Sequence, residues 1–105
     1  MTFGETIEAL NRGECVTRKG WNSRGMFIYK TPGSTVELAN MKPHVQEAVT
    51  KGLNLQGQPS YTSYQVEILP HIDMWTTNAE GRRAILCGWL ASQSDMLATD
   101  WEIVR

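Results

Sequence analysis

Residues 71–90, HIDMWTTNAEGRRAILCGWL, contain the pattern that decides the fold. Polar and apolar side chains alternate over residues 71–75, continuing an alternation that begins at Tyr64, as in strands with one buried face. The Asn and Gly of residues 77–81 are typical of a hairpin loop. The apolar residues 85–90 predict the returning strand, and the stretch as a whole predicts antiparallel strands joined by a short loop.

The N-terminal residues predict an amphipathic helix. Thr2 followed by Glu5 three residues later is a capping-box pattern, and Gly13 provides a stop. Between these signals apolar residues recur at helical spacing: Phe3, Ile7 and Leu10.

Short strands and one more helix are predicted around the central stretch. Residues 14–18 and 26–29 read as strands joined by a polar turn at 19–24. Residues 92–98 have hydroxyl caps and an acidic first turn, which favour a short helix, and residues 101–104 predict a last strand.

The element order predicts an α+β fold: a small, mainly antiparallel β-sheet with an N-terminal helix and one or two short helices. Residues 1–105 are expected to form a single domain with an insert at about 35–60. Within the insert, Pro43 suits the first turn of a short helix that Gly52 ends. So short a chain has a limited core, and the simplest way to enclose a sizeable ligand is a pocket shared between subunits of an oligomer.

The charge distribution argues against a partner of polymeric nucleic acid. The formal net charge is -1, whereas such binders are usually strongly basic. Residues 12–30 nevertheless carry five basic residues against one acidic residue, a net charge of +4, and residues 95–105 carry three acidic residues against one basic residue, a net charge of -2. This split suits an anionic small ligand or complementary subunit edges, although charge alone favours an ordinary solvated surface.

The cysteine usage and the absence of a leader pattern point to a cytosolic protein. Cys15 and Cys87 match no metal-binding spacing and are predicted to be reduced residues in core strands. There is no basic segment followed by an apolar run at the start, and no apolar stretch of membrane-spanning length. We therefore expect no membrane partner, no metal and no cofactor.

Two segments have the side chains that a small-molecule site needs. Trp21 lies in the polar turn, where its ring either stacks on a flat ligand or caps the open end of the sheet. Ser92, Ser94 and Asp95 lie at a predicted helix start, where they either bind ribose hydroxyls or, as is more common, cap their own helix.

Catalytic signals are weaker. His71 and Asp73 are two residues apart on a strand and so share a face, with Cys15 as a conceivable nucleophile. No phosphate-binding loop, nucleophile elbow or metal motif accompanies them, and a surface hydrogen bond between His71 and Asp73 is the favoured interpretation.

Several segments together resemble one family, the small phage-encoded Thoeris anti-defence proteins of the second type. The resemblance lies in WLASQSDMLA at 89–98, in DWEIV at 100–104, and in three further segments: RKGWN with GMF at 18–22 and 25–27, LPHIDM at 69–74, and the opening MTFGE with AL at 9–10. It does not extend over residues 35–61, which resemble an insert.

The resemblance implies a binding protein that sequesters a signal, and not an enzyme. Members of that family are described as homotetramers that hold intact the cyclic ADP-ribose signals of bacterial TIR-domain enzymes, in pockets between subunits. Some members also hold cyclic dinucleotides in separate pockets. The expected location is the cytoplasm of the infected bacterial host.

By the same resemblance, three groups of residues are expected to bind the ligand. Those around the adenine or equivalent ring are Trp21, Asn22, Met26 and Phe27, and those facing the pyrophosphate are Arg18, Lys19 or Arg24. The residues expected to meet the riboses, from a neighbouring subunit, are Trp89, Ser92, Ser94 and Asp95. Two other hypotheses stay open: a small nucleotide-signal hydrolase using His71 and Asp73, and a direct protein inhibitor of a defence effector.

Overall fold

The computed structural model describes residues 1–21, 25–52 and 64–105. The chain divides into two compact units, one made of Met1–Pro32 and Pro70–Arg105, the other of Gly33–Leu69. Within the described ranges, no helix is long and apolar enough to cross a membrane.

The described residues combine helices with antiparallel strands, which confirms the predicted α+β fold class. The helices are α1 (Phe3–Asn11), α2 (Pro43–Gly52) and α3 (Gln93–Leu97), with a 3-10 turn at Leu38–Asn40. The strands are β1 (Val16–Arg18), β2 (Phe27–Thr31), β3 (Ser34–Glu37), β4 (Gln65–Ile68), β5 (His71–Thr77), β6 (Arg83–Leu86) and β7 (Trp101–Ile103).

The first unit is built on a five-stranded sheet in the order β6-β5-β2-β1-β7, and every pairing in it is antiparallel. The hairpin between β5 and β6 forms as predicted. In its loop the Asn78 side-chain oxygen accepts hydrogen bonds from the backbone N–H groups of Glu80 and Arg82, at 3.1 and 3.0 Å. Gly81 follows with a φ of 79°, a conformation that favours glycine.

One face of this sheet carries the core, which we call the core face. Leu10 of α1 packs there with Val16, Ile28, Met74 and Trp101, and all five are at most 6% exposed. The predicted capping box starts α1: Thr2 Oγ1 accepts from the Glu5 backbone at 3.2 Å, and the Glu5 carboxylate accepts from the Thr2 backbone at 2.9 Å. The core is therefore formed by α1 together with β5, β2, β1 and the edge strand β7.

The opposite face, which we call the outer face, is also aromatic. Side chains alternate along a strand, so Phe27 and Tyr29 point away from the core that holds Ile28. Trp75 lies opposite Phe27 in the ladder, and their rings are nearly parallel, with centroids 6.1 Å apart. Ile85 continues this row on β6 and is 50% exposed.

The prediction of one continuous alternation over residues 64–75 is wrong at its middle. β4 pairs with β3 in the second unit, whereas β5 joins the main sheet. Pro70 lies between them and has no backbone N–H to donate to a ladder. β3 was not predicted, because its sequence Ser-Thr-Val-Glu contains a single apolar residue. The short helix from Pro43 to Gly52 is confirmed as α2.

Two further predictions need correction near the end of β6. The returning strand was expected to reach residue 90, but β6 ends at Leu86, two residues before Gly88, whose φ is 77°. Both cysteines are free, as expected, but neither is a core residue in a strand. Cys15 is half-buried and precedes β1, and Cys87 is exposed and follows β6.

Replacing Ile28 by Ala should destabilise the protein much more than replacing Ile85 by Ala. Ile28 is fully buried in the core, so its truncation leaves a cavity and should cost about 2 to 5 kcal/mol of unfolding free energy. Ile85 is half-exposed on the same sheet and is the matched control. Urea unfolding measures both losses, and an equal loss at Ile85 would mean that the outer face is buried in solution.

Candidate functional site

Three tryptophans meet at the end of the core face, in what we call the tryptophan cluster: Trp21, Trp89 and Trp101. The ring centroids lie 5.3 Å apart for Trp21 and Trp101, 6.2 Å for Trp89 and Trp101, and 6.2 Å for Trp21 and Trp89. All three contacts are edge-to-face, a favoured arrangement of aromatic rings. Trp101 is 2% exposed, whereas the other two rings are half-buried and reach the surface.

Beside the tryptophan cluster lies an ion-pair network, which we call the Arg18 network. Arg18, the last residue of β1, donates from Nη1 to Asp95 Oδ1 at 2.8 Å and from Nε to Asp100 Oδ1 at 2.9 Å. Its guanidinium carbon lies 6.0 Å from the centre of the Trp101 ring, within the range of a cation–π contact. One guanidinium therefore ties α3 and the start of β7 to the end of β1.

Asp95 connects the Arg18 network to the tryptophan cluster. Its Oδ1 also accepts from Trp21 Nε1 at 3.2 Å, and its backbone carbonyl accepts from Trp101 Nε1 at 2.9 Å. Its Oδ2 accepts from the backbone N–H and the hydroxyl of Ser92, at 3.0 and 2.9 Å, as part of a capping box that starts α3. Asp95 is only 8% exposed, and every carboxylate oxygen has partners within the chain.

The ion pairs shift the pKa values of all three charged groups of the network. Hydrogen bonds from the carboxylates of Asp100 and Asp95 raise the pKa of Arg18. Burial acts to raise the pKa of Asp95, but the hydrogen bonds from Arg18, Ser92 and Trp21 outweigh it and lower that pKa. The pKa of Asp100 is also lowered, chiefly by the hydrogen bond from Arg18. The network is therefore held in its charged form at neutral pH.

The turn after β1 is fixed to Asp100. The backbone N–H of Gly20 donates to Asp100 Oδ2 at 2.8 Å, and the backbone N–H of Lys19 donates to the Asp100 carbonyl at 3.3 Å. A Cβ at Gly20 would lie 2.8 Å from Asp100 Oδ2 and 3.3 Å from Arg18 Nη2. The absence of a side chain at Gly20 thus lets the turn approach the network and place Trp21.

Five of the residues expected to bind the ligand are brought together here: Arg18, Trp21, Trp89, Ser92 and Asp95. Lys19 lies at the edge, 73% exposed, with Nζ 3.8 Å from a Glu102 carboxylate oxygen. Ser94 is exposed on α3, and Met26 packs against the core. Asn22 and Arg24 lie outside the described residues. The ligand contacts of all these residues stay a prediction.

Phe27 lies elsewhere, on the outer face. There it lines a hollow of about 550 Å³ together with Gly25, Trp75, Thr77 and Arg83. Phe27 and Trp21 were expected to surround the same ligand ring, but within one chain they lie on different faces of the sheet. The reason is that alternation along β2 points the Phe27 ring away from the core face.

Sequence reasoning missed three residues that build the site: Gly20, Asp100 and Trp101. The sequence predicts Trp101 only as the first residue of the last strand, and nothing in it indicates the contacts with both other tryptophans. The signal that could have found Asp100 is its place directly before β7, the strand that pairs with β1. Residues at the ends of paired strands are neighbours, and an aspartate there is a natural partner for Arg18.

The predicted pairing of His71 with Asp73 is also found. His71 Nε2 lies 3.4 Å from Asp73 Oδ2, and Asp73 is 5% exposed. The same carboxylate accepts from Thr31 Oγ1 at 2.5 Å and from the Gly88 backbone at 2.9 Å. These hydrogen bonds, that from Thr31 above all, lower the pKa of Asp73. Among the described residues, no group of three His, Cys, Asp or Glu side chains is placed to hold a metal.

Acid should weaken the fold through the Arg18 network. Because the pKa values of Asp95 and Asp100 are lower in the folded than in the unfolded chain, the unfolded chain binds protons first as pH falls. Their stabilisation is present above pH of about 4, the ordinary aspartate value, and is lost as pH falls towards the lower folded values. The measurement is urea unfolding between pH 7 and pH 3.

The variant Asp100→Asn isolates the contribution of one carboxylate to this acid sensitivity. It should be less stable than the wild type at pH 7, and the difference should shrink at pH 3, where the wild-type carboxylate is also losing its charge. A difference that is constant across the pH range would contradict the ionic origin of this stabilisation.

Gly20→Ala should destabilise the protein by about 1 to 3 kcal/mol, the usual cost of forcing a group into filled space. The new methyl would contact a carboxylate that Arg18 already holds in place. Gly4→Ala is the matched control: its Cβ would meet only Thr2 Oγ1 at 3.9 Å, within a helix where Ala is preferred. Thermal and urea unfolding of both variants check this, and equal stability of the two would refute the close approach.

Comparison with known proteins identifies the family of this chain. Residues 1–104 match the family model of the Thoeris anti-defense 2-like domain, Tad2-like. The chain is also 29% identical over 104 residues to Thoeris anti-defense 2 of Bacillus phage SP01, covering 99% of this chain and 94% of that protein. These matches confirm the resemblance noted in the sequence, and the chain belongs to the Thoeris anti-defense 2-like family.

Proposed function

We propose that this chain is a phage anti-Thoeris protein that binds and sequesters a cyclic ADP-ribose signal without degrading it, in the cytoplasm of the infected host. The family and the relative named Thoeris anti-defense 2 support the anti-defence role. The observation that carries the binding role is the tryptophan cluster joined to the Arg18 network, because it assembles five residues expected to contact the ligand in one place.

The aromatic part of the site suits a flat base. Trp21 and Trp89 are half-buried, and each packs edge-to-face on the buried ring of Trp101. The hydrogen bond from Trp21 Nε1 to Asp95 also fixes the orientation of the Trp21 ring. Rings that are already immobile lose little entropy when a base stacks on them, which favours tight binding.

The charges of the site suggest how the rest of the ligand lies. Arg18 is shared by two carboxylates, so the network as a whole is negative. Its oxygens suit the hydroxyl groups of a ribose, which can donate hydrogen bonds, whereas a negatively charged phosphate would be repelled. Asp100, with a side chain 32% exposed, is the more accessible acceptor. The pyrophosphate then belongs near Lys19, which is 73% exposed at the edge of the site.

The proposed assembly is a homotetramer with pockets between subunits. Leu90 precedes α3 and is 88% exposed, whereas Leu97 is the last residue of α3 and is 81% exposed. Met96 is 45% exposed. Covering these side chains with another subunit would remove apolar surface from water and add a second wall beside Trp89. A cyclic dinucleotide, as a second ligand class, would need a separate pocket. The outer-face hollow is the candidate, because two aromatic rings and Arg83 line it.

Recovery of the ligand after heating tests sequestration directly. The purified protein is incubated with a cyclic ADP-ribose isomer made by a TIR enzyme, freed of unbound ligand by filtration, and then heated to unfold it. Mass spectrometry should recover the unchanged cyclic molecule. A linear or hydrolysed product would show an enzyme, and ligand that stays in the filtrate would reject the binding proposal.

Trp21→Ala should weaken binding of the cyclic ADP-ribose by about 1 to 3 kcal/mol, the usual value of a base stacked on an aromatic ring. Trp75→Ala is the matched control, because Trp75 lies on the outer face, stacked on Phe27. Calorimetric titration measures the affinities, and circular dichroism checks that both variants fold. Loss of binding in Trp75→Ala alone would move the site to the outer-face hollow.

A second candidate function is a small nucleotide-signal hydrolase. The observation in its favour is the 3.4 Å contact between His71 Nε2 and the buried carboxylate of Asp73, a pairing that can orient a catalytic imidazole. If His71→Ala still depletes the signal from solution and still releases it intact on heating, this alternative is rejected.

A third candidate is direct inhibition of a defence protein, for which the exposed side chains of Leu90 and Leu97 would form part of a contact surface. The test mixes the protein with an activated signal extract, removes the protein, and adds the filtrate to the defence effector. If the effector stays inactive in this filtrate, the protein has removed the signal. If the effector is fully active, the signal is still present and inhibition by direct contact is favoured.

A further inference from the structure

The chain leaves the β5–β6 ladder one residue out of register just before Trp89. Within the ladder, Trp75 lies opposite Ile85 and Met74 lies opposite Leu86. Continued regularly, this register would place residue 88 opposite Ile72. Instead the backbone N–H of Trp89 donates to the Ile72 carbonyl at 2.8 Å. The chain beyond Leu86, where β6 ends, therefore contains one more residue than the register needs, which is the same two-against-one offset that a β-bulge produces. We call this offset at Gly88 the bulge.

The bulge decides which face of the sheet receives Trp89. On β6, Ile85 belongs to the outer face and Leu86 to the core side. Strict alternation from Ile85 would return Trp89 to the outer face. The extra residue places it opposite Ile72 instead, and Trp89 packs with Ile72 against the core, within 6.2 Å of the Trp21 and Trp101 rings.

The buried carboxylate of Asp73 holds the bulge. Gly88 has a φ of 77°, so its backbone is in the left-handed region. Its N–H donates to Asp73 Oδ1 at 2.9 Å, while Asp73 Oδ2 accepts from Thr31 Oγ1. His71 Nε2 lies 3.4 Å from the same Oδ2. Asp73 is 5% exposed, so its position is fixed and so is that of the amide bound to it.

We propose that Asp73 is a positioning residue for the ligand site: through the Gly88 bulge, it turns Trp89 from the outer face into the tryptophan cluster. The polar partners of Asp73, which are Thr31, Gly88 and His71, do not belong to that cluster. Its effect on ligand affinity rests on the proposed function, whereas its effect on Trp89 does not. The residue that the hydrolase hypothesis would use for catalysis is thereby given a role in the architecture of the site.

The experiment compares Asp73→Ala and Asp73→Asn with the wild type. In folded Asp73→Ala, the NMR signals of the Gly88 amide and the Trp89 indole should shift, and the near-ultraviolet circular dichroism of the coupled tryptophans should decrease. Affinity for cyclic ADP-ribose should fall about tenfold, the factor that corresponds to one lost hydrogen bond of about 1.4 kcal/mol. Asp73→Asn keeps one acceptor oxygen for Gly88 and should recover part of each signal.

Ile28→Val is the control for a general loss of stability. It removes one methyl group from the buried core and leaves the hydrogen bond between Asp73 and Gly88 in place, and it should destabilise the fold by about 0.5 to 1.5 kcal/mol. Its affinity and its Trp89 signals should remain those of the wild type. Equal changes in Ile28→Val and Asp73→Ala would overturn the positioning role.

An acid titration of the wild-type protein, followed by NMR, tests the same inference without any substitution, so it does not depend on whether a variant folds. The Gly88 amide proton should change its chemical shift as the Asp73 carboxylate is protonated, and the Trp89 indole proton should follow with the same midpoint. The inference would be overturned if the chemical shift of the Gly88 amide proton did not change over this titration. It would also be overturned if the Trp89 signals stayed unchanged in folded Asp73→Ala.

The two proposals fail separately. If the Trp89 signals move in Asp73→Ala but the wild type binds no cyclic ADP-ribose, the proposed function is wrong and the positioning of Trp89 stands. If the wild type binds and the Trp89 signals move while affinity stays constant, Asp73 does not set the ligand affinity and that part of the proposal is rejected.

Discussion

The structure of the candidate site depends on one buried carboxylate, that of Asp95. An ionised aspartate that is 8% exposed would be costly without partners, and Asp95 has four: two donors on Oδ1 from Arg18 and Trp21, and two on Oδ2 from Ser92. Satisfying this charge draws the end of β1, the following turn and the start of α3 to one point. The tryptophan cluster forms where they meet, and the site is thus a consequence of neutralising a charge inside a small domain.

A small domain gains a rigid aromatic surface in this way without a large core. Its main core cluster contains five residues that are nearly fully buried, one of them Trp101, and the half-buried rings of Trp21 and Trp89 extend it to the surface. Both half-buried rings are held by edge-to-face contacts, and indole hydrogen bonds to Asp95 orient Trp21 and the buried Trp101. The buried polar groups that do this are engaged with one another, so the exposed parts of the Trp21 and Trp89 rings form the surface on which a flat group can stack, with Asp100 and Lys19 accessible at its edge. This division of roles supports the proposed binding function more than it supports a catalytic function.

Local patterns were sufficient for most of the elements but not for their pairing. The capping box at Thr2, the short helix that Ser92 caps, the Asn78 loop and the helix that starts at Pro43 form as predicted, because each depends on residues within a few positions of one another. The break at Pro70 and the strand β3 were missed, because a strand with few apolar residues is specified by its partner more than by its own sequence. Likewise, the resemblance grouped Phe27 with Trp21, although alternation along β2 points the Phe27 ring to the outer face and away from the core that holds Ile28.

The sequence by itself determined the α+β class, through short-range periodicity and capping, and the family, through its motifs. The resemblance to that family also made Arg18, Trp21, Trp89, Ser92 and Asp95 candidate site residues. Only the tertiary structure decided that Asp95 binds Arg18 across 77 positions of sequence and that Asp100 and Trp101 complete the group. It also decided that an inserted Gly88, held by Asp73, turns Trp89 to the core face. The physical reason is that buried charges and ladder register are satisfied by partners distant in the chain, which no local pattern specifies.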